Sequence, residues 1–463
     1  MVVIEGGYRR SVKDPLPALD RGGASLHHRA RTGGRGHRMP FSSTVGRLVR
    51  VFAASLLAAL VAAPLAAAEP PAFRRGINFE LWQTWTGRDA FLAPGNDRAN
   101  FPDWSKAVSD DRLVALRRQG FDFVRLNVDP SPFFWDDIET ELLLDGVTRA
   151  TKRLLAADFR VIVDLHLVPE SADRPQGLHW VLGTGGMRAG EGFSRHLGLV
   201  RTVANRLKTL PGDRVALELL NEPDQDWNSH LALTDRWPGQ LAALYGAARR
   251  VAPDLALVLS GARGGGVEGL LRLDPSRFAG DDRVIWSFHA YEPMALTHAG
   301  LPWETGPAHF LPGMPFPAAK IDAAARSEIL AAAKRRIDAE IADPDARAAM
   351  EKAVAAHLDK YVASGASAAT IEAEVARVAD WAKAHDVPPR RILLGEFGGY
   401  GPGMAPGVRA EVVGIARRAV EKAGFAWAIY TAELTRANHS FGIVEDPVTL
   451  RIEGGMARAL GLK

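Results

Sequence analysis

The 463-residue chain contains no cysteine, so it can hold neither a disulfide nor a thiolate metal site. No Gly-x-Ser-x-Gly is present, which removes the elbow that carries a serine hydrolase nucleophile. No Gly-rich phosphate fingerprint follows the first strand-like segment, which weighs against a doubly wound nucleotide-binding sheet. Asp164-x-His166 could be a metal-ligand pair, but a metal-dependent barrel would need more histidines at strand ends, and no His-x-His occurs. What remains is ordinary globular material, 47% hydrophobic and 24% charged.

Residues 1–68 differ from the rest. Arg47 and Arg50 precede the apolar run VFAASLLAALVAAPL, and Ala66-Ala67-Ala68 follows it. A basic start, an apolar middle and small residues at the end describe a secretory signal peptide over 39–68. Met39 lies at its start, so residues 1–38 read as a mis-called extension. An uncleaved N-terminal anchor is the alternative, though Pro64 and the alanine content argue against a permanent membrane helix. The expectation is a secreted or periplasmic protein with no stable membrane insertion after cleavage, acting as a monomer. Removing the 10 basic and 3 acidic residues of this stretch from totals of 57 and 54 leaves 47 and 51. The net positive charge therefore belongs to the leader, and nothing points to nucleic acid.

From residue 73 onward, short apolar runs alternate with helical patterns. Strand candidates are GINFE (76–80), FVRLNV (123–128), RVIVDLH (160–166), VALELLN (215–221), LALVLSG (255–261), RVIWSFHAY (283–291), RILLGEF (391–397) and FAWAIYT (425–431). Such runs suit strands buried on both faces. Between them, stretches such as DDRLVALRRQG and TRATKRLLAAD repeat apolar residues every three or four positions. Eight such units predict an α/β fold, a (β/α)8 TIM barrel over 69–463. About 100 residues separate the sixth strand from the seventh, so a helical insertion is expected at about 304–366. Its helix starts at Asp343-Pro344 and carries Met350, Val354 and Leu358 on one face.

A barrel gathers its reacting groups at the C-terminal ends of the strands. Asn78, Arg125, His166, Asn221, Glu222, His289, Tyr291 and Glu396 fall there. In LELLNEPDQ (217–225), Pro223 ends the fourth strand just past Asn221-Glu222. Glu222 and Glu396 can face one another across the barrel mouth. Two carboxyls about 5 Å apart serve a retaining glycosidase, one as acid/base and one as nucleophile. Their environments must then differ, so that one is protonated while the other is ionised. Asp164 and Glu218, also inward-pointing, read instead as structural partners of Arg125.

ELLNEP (218–223) and LLGEFGGYG (393–401) resemble the acid/base and nucleophile motifs of glycoside hydrolase family 5, the cellulase and mannanase family of the clan A barrels. FVRLNV, VIVDLH and FHAYEPMALTHAGLPW (288–303) resemble further motifs of its endoglucanases, in the same order. The resemblance covers about 73–463. It implies Glu222 as acid/base, Glu396 as nucleophile and Asn221 on the sugar 2-hydroxyl. It implies that Arg125 and Tyr291 hold Glu396 ionised, that His289 sits near Glu222, and that His166 and His298 meet sugar hydroxyls. Trp303 would stack on a pyranose, Trp427 counts among the substrate-binding or supporting residues, and the aromatic platform three positions beyond it is Tyr430, where the family usually has tryptophan. His166 is followed by Leu167 rather than a second histidine, and Arg263-Gly264 replaces an aromatic-Gly pair. The implied activity is retaining endo-β-glycosidase action on β-1,4-glucan, a polysaccharide or oligosaccharide substrate, without metal or cofactor. The alternatives are a β-mannan, another β-glucan or exopolysaccharide, and an inactive carbohydrate-binding barrel. Trp82, Trp85, Trp104, Trp135 and Trp227 are candidates for a sugar-stacking floor or for packing.

Overall fold

The computed structural model describes residues 71–83, 108–136, 138–170, 175–183, 190–223, 233–302, 305–433, 440–446 and 448–463. The signal peptide and extension read from the sequence lie outside the described residues, as do Trp85, Trp104, Trp227 and Trp303.

Eight parallel strands close into a barrel in chain order. They are β1 (Arg75–Gln83), β2 (Phe123–Val128), β3 (Arg160–Leu165), β4 (Val215–Glu218), β5 (Ala256–Ser260), β6 (Val284–His289), β7 (Ile392–Glu396) and β8 (Ala426–Glu433). β8 returns to pair with β1, so the barrel itself has no open edge. This is the (β/α)8 architecture expected from the alternating pattern.

The period-2 alternation of each strand builds two cores. Phe123, Ile162, Ala216, Val258, Ile285, Leu393 and Ala428 fill the barrel interior. Their neighbours in sequence, such as Val124, Val161, Leu217, Leu257, Leu394 and Trp427, pack outward against the helices. Both faces are dry, which is why these strands read as unbroken apolar runs rather than alternating ones.

The helices that cover the barrel are α1 (Asp110–Arg118), α2 (Thr140–Ala156), the short α3 (Leu178–Leu182) with α4 (Glu191–Leu207), α5 (Leu233–Val251) and α6 (Val267–Leu271). After β6 the chain makes α7 (Met294–Thr297) and then a large helical insertion with α8 (Ala323–Glu340) and α9 (Pro344–Ala363). It rejoins the barrel through α10 (Ala368–Ala384), and α11 (Pro406–Lys422) and α12 (Gly454–Ala459) complete the ring. As the sequence predicts, Asp343 caps α9 by accepting from the Ala346 N–H at 2.7 Å, with Pro344 at the first helical position. Val354 and Leu358 are buried on its inner face. α10 buries Ile371, Val375 and Val378, and its Trp381 meets Trp286 of β6 edge-on at 5.6 Å.

Two strands are clearly shorter than their sequences suggest, β6 spanning Val284–His289 rather than 283–291, and β4. The run VALELLN predicts β4 to residue 221, but the strand ends at Glu218. The carbonyls of Leu219 and Leu220 accept instead from side chains, His196 Nε2 at 2.9 Å and Ser260 Oγ at 3.2 Å. The ladder turns irregular there, with Leu219 N–H reaching the Val258 carbonyl at 3.4 Å and Asn221 N–H the Leu165 carbonyl at 3.0 Å, so Asn221 and Glu222 stand on a loop beyond the regular strand.

Backbone passes backbone closely where α6 lies on the end of β5. A Cβ added at Gly269 would meet the Ala262 carbonyl oxygen at 1.7 Å, whereas one at Gly198 on α4 would meet nothing within 4 Å. Gly269→Ala is therefore expected to lower unfolding stability by at least about 1–3 kcal/mol through overpacking. Gly198→Ala should raise it by up to about 1 kcal/mol through helix propensity. Denaturant titration of the two variants checks the contrast, and equal midpoints would contradict it.

Candidate active site

The site is built around Arg125, the third residue of β2, whose side chain is fully buried. Its Nε and Nη2 donate to the two oxygens of Glu218 at 2.7 and 3.0 Å. Nη2 also donates to Asn221 Oδ1 at 2.8 Å and lies 3.1 Å from Asp164 Oδ2. Nη1 donates to Asn78 Oδ1 at 2.9 Å and to Glu396 Oε1 at 2.6 Å. Burial alone lowers the guanidinium pKa, but Asp164, Glu218 and Glu396 outweigh it and raise it well above its ordinary value. Asp164 and Glu218 have the structural place that the sequence suggests for them.

Glu396 ends β7 and is almost wholly enclosed. Besides Arg125, it accepts from the Tyr291 hydroxyl at 2.9 Å. His289 Nδ1 lies 3.7 Å from its second oxygen. Burial raises the Glu396 carboxyl, but His289, Arg125, His166 and the Tyr291 hydroxyl together hold it below the usual carboxylate value. Glu222 is placed differently. Its side chain is 20% exposed, and His289 Nδ1 sits 2.7 Å from its Oε1. Its backbone has φ +39°, a left-handed conformation rare for a residue with a side chain. One oxygen of each glutamate and one ring nitrogen of His289 lie within 4.8 Å of one another. Burial lowers the His289 pKa, but Glu396 and Glu222 outweigh it and raise it. A cation at these three groups would have to displace the proton that joins His289 to Glu222.

The remaining predicted residues divide into those the fold gathers and one it does not. His166 donates through Nδ1 to Asp164 at 2.7 Å. Burial lowers its pKa, but that carboxylate and Glu396 carry it to about 9. Asn221 is buried beside Arg125. Tyr430 lies parallel to the His166 ring at 6.5 Å. His298 packs edge-on to Tyr291 at 5.1 Å, and burial lowers its pKa to about 4. Trp427 is a correction. It is 0% exposed, packs edge-on to Phe121 and Phe397, and belongs to the outer core. The inward positions of β8 are Ala426 and Ala428, so strand parity turns Trp427 toward the helices. Trp82 and Trp135 are likewise buried packing residues, at 1% and 5% exposure.

Three neighbours of the site carry no local sequence signal. Phe441 contacts Tyr291, His298 and Tyr430 at 5.8, 5.4 and 5.9 Å between ring centres. Glu80 on β1 has its pKa raised to about 7, by burial first and by Glu433 beside it, against the pull of His166 and a hydrogen bond from Tyr430. His196 on α4 is 0% exposed. Burial lowers its pKa to about 4 despite the Leu219 carbonyl, so the ring is neutral and donates Nε2–H to that carbonyl.

That bond lies three residues ahead of Glu222. Together with the Ser260 bond to Leu220 and the bond from Gly264 N–H to the Pro223 carbonyl at 3.0 Å, it fixes the loop that lifts Glu222 off the sheet. His196→Phe would leave the buried Leu219 carbonyl without its donor, at a cost of about 1–3 kcal/mol. His196→Gln keeps a donor on a longer chain and should lose less. Thermal unfolding of both variants provides the check: equal losses would mean that ring packing, not the bond, is what counts.

The likeness to known proteins agrees with this arrangement. Residues 85–433 match the family model described as cellulase, glycosyl hydrolase family 5. Cellodextrinase A of Ruminococcus flavefaciens is 25% identical over 202 residues, 42% of this chain and 55% of that protein. Endoglucanase 3 of Fibrobacter succinogenes is 25% identical over 197 residues, 42% of this chain and 26% of that protein. The aligned part thus spans about half of the first relative and a quarter of the second. Among solved structures, Cel5A of Thermotoga maritima with cellobiose superposes with a TM-score of 0.57 at 18% identity, covering 84% of this chain and 97% of that one. The cellulose synthase subunit Z of Clostridioides difficile gives 0.56 at 19% identity, over 84% and 99%. At such identities these structures bear on the fold alone; the match over 85–433, three quarters of the chain, shows that this protein belongs to glycosyl hydrolase family 5, the cellulase family.

Proposed function

We propose that the protein is an exported retaining endo-β-glycosidase that cleaves β-1,4-linked glucan. The observation that carries this reading is the pair Glu222 and Glu396, with oxygens within 4.8 Å of one another and unlike surroundings. A separation of about 5 Å leaves no room for a water between carboxylate and sugar, so the carboxylate itself attacks. Glu396, kept ionised by its cations and hydrogen-bonded by Tyr291, forms the bond to the anomeric carbon as the glycosidic C–O bond breaks. Glu222 gives its proton to the departing oxygen. It then takes a proton from the water that cleaves the glycosyl ester, restoring Glu396 and leaving the anomer unchanged.

Other residues act on the sugar or on these two groups. Asn221 has its Oδ1 taken by Arg125, so its NH₂ is left to donate to the 2-hydroxyl at the cleavage point. His166 and His298 supply hydroxyl contacts, and Tyr430 supplies an aromatic face. Trp303, outside the described residues, is proposed as a stacking partner. No step calls on a metal or an organic cofactor. The matches named for a cellodextrinase and an endoglucanase support a glucan. A β-mannan or another β-glucan is the second reading, supported by Leu167 after His166 and by Arg263-Gly264, where the family usually has a second histidine and an aromatic-Gly pair.

Two experiments test this. Incubating the 69–463 protein with soluble glucans and mannans and counting new reducing ends should show the highest rate on β-1,4-glucan. A higher rate on mannan would move the substrate, and inactivity on all of them would favour a binding protein. Glu396→Ala should lower kcat by roughly 10⁴-fold. Azide should then restore cleavage of an activated aryl glycoside, giving the inverted glycosyl azide. Failure of that rescue would remove Glu396 as nucleophile.

A further inference from the structure

Beyond the cleft, a cavity of about 330 Å³ lies between the barrel and the insertion. Glu292, Pro293 and Met294 line it from the loop after β6, and His357, Lys360 and Tyr361 line it from α9. Elsewhere in the insertion, charged groups are matched to one another. Arg326 holds Asp359 through two bonds of 2.8 and 2.9 Å, Lys334 reaches Glu351 at 2.6 Å, and His309 meets Glu340 at 2.6 Å. At the cavity this matching stops. Among the described residues, Lys360 enters no ion pair, and the buried Nε2 of His357 has no hydrogen-bond partner. Glu292 likewise enters no ion pair among the described residues. Lys360 and Glu292 are exposed at the rim of the cavity, whereas the His357 ring nitrogen is buried, and a buried polar atom without a partner is costly enough to call for one.

We propose that this cavity is a second saccharide site, taking one or two rings of a neutral sugar of the class released in the cleft. The volume lies in the range of small-ligand pockets. Pro293, Met294 and Tyr361 offer an apolar wall for the C–H face of a pyranose. Lys360 and His357 can donate to ring hydroxyls, and Glu292 can accept from them. The lining charges nearly balance, since Glu374 is already paired with Arg377 at 3.1 Å, so no ionic ligand is called for. The site also adjoins the chemistry. Glu292 follows Tyr291, whose hydroxyl donates to Glu396, so a sugar held here bears on the segment that orients the candidate nucleophile. The sugar class rests on the glycosidase reading above; the existence of a second site does not.

The test counts cellobiose equivalents bound by Glu396→Gln protein, which does not consume the ligand, using isothermal titration. Two equivalents per chain are expected, falling to one when His357→Leu and Lys360→Ala are added. Ser364→Trp, which places a large ring in the cavity, should give the same loss and guards against one variant failing to fold. A single equivalent in all three proteins, or no cellobiose binding that responds to the cavity substitutions, overturns the proposal. The glycosidase reading is judged separately, by whether the unmodified protein releases reducing ends.

Discussion

A single buried guanidinium holds this site together. Arg125 gathers Asn78 of β1, Asp164 of β3, Glu218 of β4, Asn221 beyond it and Glu396 of β7. Burying an arginine costs several kcal/mol unless its donors are used and its charge is answered. Three carboxylates answer it, and would repel one another without it. Lysine could not stand in, because a point charge cannot give two parallel bonds to Glu218 while also reaching Asn221 and Glu396. The barrel mouth is therefore fixed by electrostatics that run across its strands, added to the main-chain ladder that runs around it.

Charge balance at this centre also explains the histidines. One arginine cannot neutralise Asp164, Glu218 and Glu396. His166 is raised to about 9 beside Asp164, against its own burial, and His289 is raised by Glu396 and Glu222. Near neutral pH His166 therefore acts as a cation beside the carboxylates, and His289 is shifted in the same direction. His298 and His196, in apolar surroundings, go the other way, to about 4. The same side chain thus serves as a counter-charge in one place and as a neutral hydrogen-bond donor in another. Environment, not residue type, makes the difference.

These contrasts mark the limits of reading the sequence. The eight strands, the insertion and the capped start of α9 follow from local pattern, because period, proline placement and N-cap chemistry are local quantities. The gathering of Arg125, Glu222, His289, Tyr291 and Glu396 follows from the barrel rule that strand ends share one face. Trp427 shows where a motif alone misleads, since its place in the last strand suggests a supporting residue of the site until strand parity turns it outward. Phe441 and His196 could not be found at all. One lies past β8, the other inside a helix, and each matters through contacts with residues distant in the chain, Phe441 with Tyr291 and His298, His196 with Leu219. Glu80 has the same history, since its raised pKa comes from burial and from Glu433, its partner in the β1–β8 register.

Glu218 and Glu222 bring these threads to one point. They are the same residue type, four positions apart, and either could be offered as the acid at the barrel mouth. Had β4 continued to residue 221 as its apolar run suggests, Asn221 and Glu222 would alternate across the sheet, with one of them facing the helices. The structure ends the strand at Glu218, hands two carbonyls to His196 and Ser260, and turns Glu222 through a positive φ. Asn221 can then reach Arg125 while Glu222 faces His289, so both neighbours enter the site from one short loop. Glu218 stays on the regular strand, where both oxygens are bonded to Arg125 and no solvent reaches them. Enclosed in this way, Glu218 cannot meet a departing group, whereas Glu222 keeps 20% of its side chain exposed. The irregular exit from β4 therefore separates the structural acid from the candidate catalytic one.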